Sequence, residues 1–221
     1  MDAELLEYLS GFLTDARKRK IEEILEKRTR HVTVVLEDIF HPPNASAIIR
    51  TCECFGVQDM RFIQNHKVYR VNADVAQGAS KWVNIFDYAE GDSNTETCLS
   101  DLKKQGYRIV ATTLRESEKT IQLEKLPVKE KLALCFGAEE TGLSDEAHEL
   151  ADYHVKIPMS GFTQSFNISV SAALCLQVAV ARLRESDVDL RLSDKEKAEL
   201  RLDWHKKSIR NVDAIIKRFY E

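Results

Sequence analysis

The sequence predicts an α/β protein with a mainly parallel sheet and helices on both faces. Three observations carry this. Apolar runs of strand length alternate with segments of helical periodicity between residues 31 and 184. One run, residues 132–136 (Leu-Ala-Leu-Cys-Phe), is apolar throughout, as a central strand covered on both faces must be. Glycines then punctuate the ends of elements, at Gly56, Gly106 and Gly137.

Taken in order, residues 4–13 and 14–28 read as short helices, the second with Ile21, Ile24 and Leu25 as its apolar stripe. Residues 31–36 are a β-branched strand ending at Glu37 and Asp38. His41, Pro42 and Pro43 read as a stiff extended link, with Asn44 capping the helix that follows. That helix turns Ala45, Ile48, Ile49, Cys52 and Phe55 inward. A strand at 60–64, a loop or short helix at 78–82 and a strand near 83–86 come next. A helix at 95–104 and a strand at 107–112 lead to a charged stretch with no expected element, then to the strand at 132–136. Val155, Lys156 and Ile157 end a short strand that Pro158 stops, because proline cannot donate to a ladder. Ser165, Phe166 and Asn167 open a helix from Ile168 to about Arg184, with side-chain oxygens where an N-cap needs them. It is apolar nearly all round and rich in small residues, so it is buried on more than one side, in the core or against a second subunit. Past Glu185 a polar link leads to a capping box at residues 193–196. Leu200, Trp204, Val212, Ile216 and Phe219 then recur on one side of an amphipathic extension that packs beside the N-terminal helices.

Composition narrows the function. The 221 residues hold 32 Lys and Arg against 36 Asp and Glu, a formal charge of −4 that argues against a generic nucleic-acid binder. The cations are bunched, however: Arg17, Lys18, Arg19 and Lys20, then Lys27, Arg28 and Arg30, lie near one end, and a second group lies near the other. Such ends either hold a polyanion or are solvated helix faces. Five cysteines, none spaced as CxxC, indicate neither a zinc site nor a disulfide frame and suit a reducing cytoplasm. No apolar run approaches the ~20 residues of a membrane span, and the first residues are acidic where a secretory signal is basic.

Directly after the apolar strand, Gly137 and Gly142 mark a tight turn where backbone can approach a ligand. It is neither GxGxxG nor a P-loop, and Glu139 would repel a pyrophosphate, which disfavours a dinucleotide oxidoreductase. A neutral or cationic ligand fits better. Counting ~100° per residue, Arg50 points away from its helix's apolar stripe. It is either an ordinary surface arginine or a cation aimed at a phosphate or a neighbouring subunit.

In this order, Asn44 to Arg50, Gly137-x-Glu139-x-x-Gly142, and Ile157-Pro158-Met159-x-Gly161-x-x-x-Ser165-x-Asn167-x-Ser169 closely resemble the three motifs of SpoU-type RNA ribose 2′-O-methyltransferases, of the SPOUT superfamily. The resemblance runs from about Val32 to Leu183. The basic N-terminal helix and the Leu-Ser-x-x-Glu start of the C-terminal helix resemble the tRNA (guanosine) branch of that family, TrmH. The resemblance implies an N-terminal RNA-contacting extension (1–30), a methyltransferase domain (31–185) whose C-terminal part is a deep trefoil knot, and a helical extension (186–221). It implies S-adenosylmethionine held by Thr112, Gly137, Ile157, Met159 and Phe166, the last standing where the family commonly has leucine. It implies a catalytic Arg50 amid Asn44, Glu139, Ser165 and Asn167, with tRNA held by Arg17, Lys18, Arg19, Lys20 and Arg28. A homodimer with no metal, acting on a D-loop guanosine, completes the expectation. The alternatives are a ribosomal RNA methyltransferase and a catalytically silent RNA-binding knot protein.

Overall fold

The computed structural model describes residues 2–39, 41–66, 78–91 and 93–221. In chain order its elements are α1 (Asp2–Ser10), α2 (Asp15–Leu25), β1 (Val32–Glu37), α3 (Pro42–Phe55), β2 (Asp59–Ile63), β3 (Asn84–Tyr88), α4 (Asn94–Lys104), β4 (Tyr107–Thr112), β5 (Thr120–Gln122), β6 (Lys131–Phe136), α5 (Asp145–Leu150), β7 (Tyr153–Lys156), α6 (Ile168–Arg184), α7 (Asp194–Ser208) and α8 (Val212–Tyr220). They form two compact units: residues 30–190, and residues 1–29 joined with 191–221.

The larger unit is a seven-stranded parallel sheet in the order β3-β2-β1-β6-β4-β7-β5. Alternation along each strand divides the core. Val32, Val34, Leu36, Leu132, Leu134 and Phe136 face α3 and α6, where Ile48, Ile49, Cys52, Ala172, Cys175 and Leu176 meet them. Val35, Ala133, Cys135 and Ile109 face α4 and α5, against Cys98, Leu99, Leu102 and Ala147. Each large aliphatic chain so buried contributes about 1.5–3 kcal/mol before chain entropy is charged against it. As expected for an all-apolar run, β6 is the middle strand, and it alone joins the β3-β2-β1 half to the β4-β7-β5 half.

Two local expectations change. The prolines do not form an extended link: Pro42 and Pro43 occupy the first turn of α3, with His41 at the N-cap. Proline suits that position, because its fixed φ is helical and the missing N–H would have no partner there. Asn44 is therefore inside the helix, and its side chain is released from capping. Within the charged stretch, residues 120–122 form β5, a short edge strand hydrogen-bonded to β7. β7 thus lies between β4 and β5, which are joined by residues 113–119. Thr113 N donates to Val155 O (3.0 Å) on one side of β7, and His154 N to Lys119 O (2.9 Å) on the other.

In the second unit Leu5, Leu9, Ile21, Leu25, Leu192, Leu200 and Trp204 are buried between the helices. Ser193 and Glu196 form the expected reciprocal capping box at the start of α7. The guanidinium of Arg201 grips Glu22 with two bonds, of 2.6 and 2.7 Å, and hydrogen bonding to Arg201 holds the Glu22 carboxyl below its ordinary pKa. Among the described residues no helix is long and apolar enough to cross a membrane.

Candidate active site

Three residues singled out by the motifs meet through one carboxylate. Asn44 Nδ2 donates to Glu139 Oε1 at 3.0 Å, and Asn167 Nδ2 donates to the same oxygen at 2.8 Å. Asn167 Nδ2 also reaches Asn44 Oδ1, at 3.1 Å. The other end of the Asn167 amide is the N-cap of α6: Oδ1 accepts from Ser169 N (2.9 Å) and Ser169 Oγ (2.6 Å). Glu139 so ties the first turn of α3, the loop after β6 and the start of α6 into one polar cluster. Its second oxygen faces His41 Nε2 at 4.0 Å.

Beside this cluster, at the C-terminal ends of β4, β6 and β7, opens a cleft of about 310 Å³. Ligands of open parallel sheets sit at that end of the strands. Thr112, Gly137, Ile157, Met159 and Phe166 all line the cleft, as do Glu139 and Ser165. The turn between Gly137 and Gly142 is closed by an Ala138–Gly142 bridge, with Gly142 N donating to Ala138 O at 2.8 Å. A Cβ on Gly137 would overlap the backbone of Gly142 and Leu143, so only glycine fits. The hydroxyl of Thr112 donates to Cys135 O at 2.8 Å and holds β4 to β6. Arg50 stands apart: it is exposed on α3, outside the cleft lining, and carries no ion pair among the described residues.

Sequence reasoning missed the group that fixes the far end of the glycine turn. Glu37, 2% exposed at the end of β1, accepts from Ser144 N and Ser144 Oγ (both 2.8 Å) and from Thr95 Oγ1 (2.5 Å). Asn65 Nδ2 extends the chain of bonds to Thr95 Oγ1 at 2.9 Å. Ser144 in turn caps α5. The available signal was an acidic residue closing an otherwise apolar strand. Also missed is His148, 8% exposed and lining the cleft. Burial, then the nearby Arg115 cation and the His154 ring, hold its pKa below the ordinary value. Arg115 lines the cleft too, paired with Asp145 at 2.6 Å. Burial pushes Cys98 and Cys175 up to about 12 and Cys135 well above its ordinary value, which leaves these thiols inert. Among the described residues no group of His, Cys, Asp and Glu could hold a metal ion.

The five cations assigned to RNA divide sharply. Arg17, Arg19 and Lys20 are exposed and Lys18 half-buried on α2. Lys18 pairs with Asp15 (2.8 Å) and Lys20 with Glu23 (3.1 Å), whereas Arg17 and Arg19 make no ion pair among the described residues. Arg28 corrects the expectation. It is 1% exposed, with its guanidinium 5.3 Å from the Trp204 ring centre, and serves packing rather than a ligand.

Comparison with known proteins gives a consistent result. Residues 31–177 match the SpoU rRNA Methylase family. The tRNA (guanosine(18)-2′-O)-methyltransferase of Borreliella burgdorferi is 44% identical over 218 residues, 97% of each chain. That of Thermus thermophilus is 35% identical, covering 88% of this chain and 98% of its own. The crystal structure of the A. aeolicus TrmH/SpoU tRNA modifying enzyme superposes with a TM-score of 0.78 at 29% identity, over 89% of this chain and 98% of the other. With residues 31–177 matched, relatives alike over nearly the whole length, and the second and third motifs lining one cleft at the strand ends, the chain belongs to the SpoU methylase family.

Proposed function

We infer that this chain transfers a methyl group from S-adenosylmethionine to the ribose 2′-hydroxyl of guanosine 18 in tRNA. The observation that carries this is the convergence of Asn44, Glu139 and Asn167 beside the cleft, in a chain similar over nearly its whole length to tRNA (guanosine(18)-2′-O)-methyltransferases.

The cleft suits that methyl donor. Its apolar walls, Phe136, Val155, Ile157, Met159 and Ile168, offer flat contact to an adenosyl group, and its volume lies in the range of small-molecule sites. Glu139 and Glu140 on the lining match a cation and repel a phosphate. Gly137, Ile157 and Met159 would hold the nucleoside, largely through backbone groups, with Thr112 and Phe166 bounding it. When bound, the donor supplies an electrophilic methyl on a positively charged sulfur.

The chain's own residues do the rest. A ribose hydroxyl is a weak nucleophile that must lose its proton as it attacks. The guanidinium of Arg50 clamps an RNA phosphate and stabilises the developing alkoxide. Asn44, Glu139 and Asn167 hold the sugar's approach, and Ser165 braces the loop beside them. The chain works as a homodimer: α6, whose Ala172, Cys175, Leu176 and Ala179 are buried, exposes the apolar Val170 and Leu174. A second copy on that face accounts for an Arg50 that stands outside the cleft of its own chain. Residues 113–119, with β4 and β5 on either side of β7, form the loop through which the chain leaving β7 threads in the trefoil knot. Arg17 and Arg19 lead the contact with tRNA, in the cytoplasm where tRNA is processed.

Transfer of labelled methyl to an unmodified tRNA transcript, followed by nucleoside mapping, tests the assignment. The expected product is 2′-O-methylguanosine; methyl on a base nitrogen overturns it, and binding of the methyl donor without transfer points to a silent RNA-binding protein.

A further inference from the structure

Residues 160–167, between β7 and α6, are exposed without exception. Six of the eight are polar or glycine: Ser160, Gly161, Thr163, Gln164, Ser165 and Asn167. Phe162 is the exception that nothing described so far explains. Its relative exposure is 111%, so its ring rests on no neighbour, and the stabilisation that burial gives an aromatic side chain is forgone. Met159, three residues before it, and Gln164, two residues after it, both line the cleft, so Phe162 lies on the exposed loop between two lining residues.

The size of the cleft decides what else must be near. At about 310 Å³ it lies at the small end for a ligand pocket, and a nucleoside-sized methyl donor fills it. The purine of the nucleotide whose ribose is methylated therefore stays outside. An unpaired base in an RNA loop has a bare π-face, and proteins meet such faces with aromatic rings set among hydroxyl and amide groups. We propose that Phe162 is the platform on which the base of the target nucleotide stacks, so that its ribose 2′-hydroxyl is held against the cleft. This rests on the ribose methyltransferase reading above.

A second copy of the chain is the other candidate to cover the ring, and the surroundings disfavour it. Cores of protein interfaces are contiguous and apolar. The apolar face that suits a partner lies on α6, at Val170 and Leu174, whereas Phe162 is set among serine, threonine, glutamine and glycine.

The test compares wild type with Phe162→Ala, Phe162→Leu and Phe162→Tyr on an unmodified tRNA transcript. Because the ring is fully exposed, all three variants fold. Phe162→Ala is expected to lower kcat/KM for tRNA about 5- to 150-fold, the equivalent of one lost base stack. Calorimetric affinity for S-adenosylhomocysteine and the sedimentation coefficient are expected to stay unchanged. Phe162→Tyr restores activity and Phe162→Leu does not. In a binding assay, a transcript abasic at guanosine 18 removes the difference between wild type and Phe162→Ala. Wild-type activity in Phe162→Ala, equal rescue by leucine, loss of the dimer, or a difference that survives on the abasic transcript overturns the stacking role. If the wild-type enzyme itself leaves the tRNA ribose unmethylated, the functional assignment fails instead, and the abasic binding comparison still decides Phe162.

Discussion

The two compact units are held together by different means, and the difference bears on which charges can meet RNA. The unit of residues 30–190 is a buried sheet whose polar groups gather at the strand ends: Glu37, Glu139, Asn44 and Asn167 each tie one loop or helix start to another. The unit of the two chain ends is a helical cluster laced by ion pairs. Arg201 grips Glu22, Lys197 lies 2.7 Å from Glu26, and Lys18 and Lys20 hold acids on their own helix. By composition the terminal unit is the cationic one, with 15 Lys and Arg against 13 Asp and Glu, while the sheet unit has 17 against 23. Yet Arg50 of the acidic unit carries no ion pair among the described residues, and much of the basic unit's charge is already matched. A cation already held by a carboxylate releases few counterions when RNA arrives. The partner of each cation matters more than the length of the basic run.

The largest effect that separates the units is expected at Arg50. Arg50→Ala lowers kcat by about 10²–10³, while the melting temperature and S-adenosylhomocysteine affinity hold, because the side chain is exposed and outside the cleft. Arg50→Lys keeps part of the rate, since a point charge remains without the planar clamp. Asn167 comes next, because it serves both the fold and the cluster. Asn167→Ala costs about 0.5–2 kcal/mol as a lost cap and also lowers kcat. Asn167→Asp keeps the cap but sets a second carboxylate against Glu139 Oε1, so it retains the melting temperature and loses activity. Equal losses in both variants by both measurements would merge the two roles.

Within the terminal unit the expected effects are smaller and opposite in kind. Arg28→Ala destabilises by about 1–3 kcal/mol in denaturant titration, through lost packing on Trp204. Arg19→Ala leaves stability alone but weakens tRNA binding and reduces the slope of log K against log salt by about 1. Lys20→Ala changes that slope less, because Glu23 already holds the ammonium. The smallest effect is a pH dependence at His148. With its folded pKa held below 6.5, the unfolded chain binds the proton first as pH falls, so stability is full above that value and declines below it. The slope is at most about 1.4 kcal/mol per pH unit, and urea midpoints measured down through that window should flatten in His148→Gln.

Much of this was legible in the sequence, for reasons that differ from element to element. The sheet could be read because residues 132–136 of β6 are apolar throughout and because Gly56 ends α3 and Asn167 caps the start of α6. The outward position of Arg50 followed from helical periodicity alone. The start of α3 was misread because two prolines suit both an extended link and a first helical turn, and only the packed fold chooses between them. β5 escaped because three residues carry too little pattern, and its pairing with β7 is a property of the whole chain. Arg28 was counted with its basic neighbours because charge is visible in sequence and burial against Trp204 is not. The support that Glu37 gives Ser144 spans 107 positions of chain, beyond the reach of any local signal.

The order in which the strands are made has a consequence for synthesis. Strand β5 leaves the ribosome before β7, the strand it pairs with, and that partner arrives only when Tyr153 emerges. Until then β4 lacks its neighbour on that side and β5 has no strand to pair with, the kind of unpaired backbone that recruits stray strands. A nascent chain arrested before that residue carries an unfinished sheet, and the pocket's last wall is built only after it.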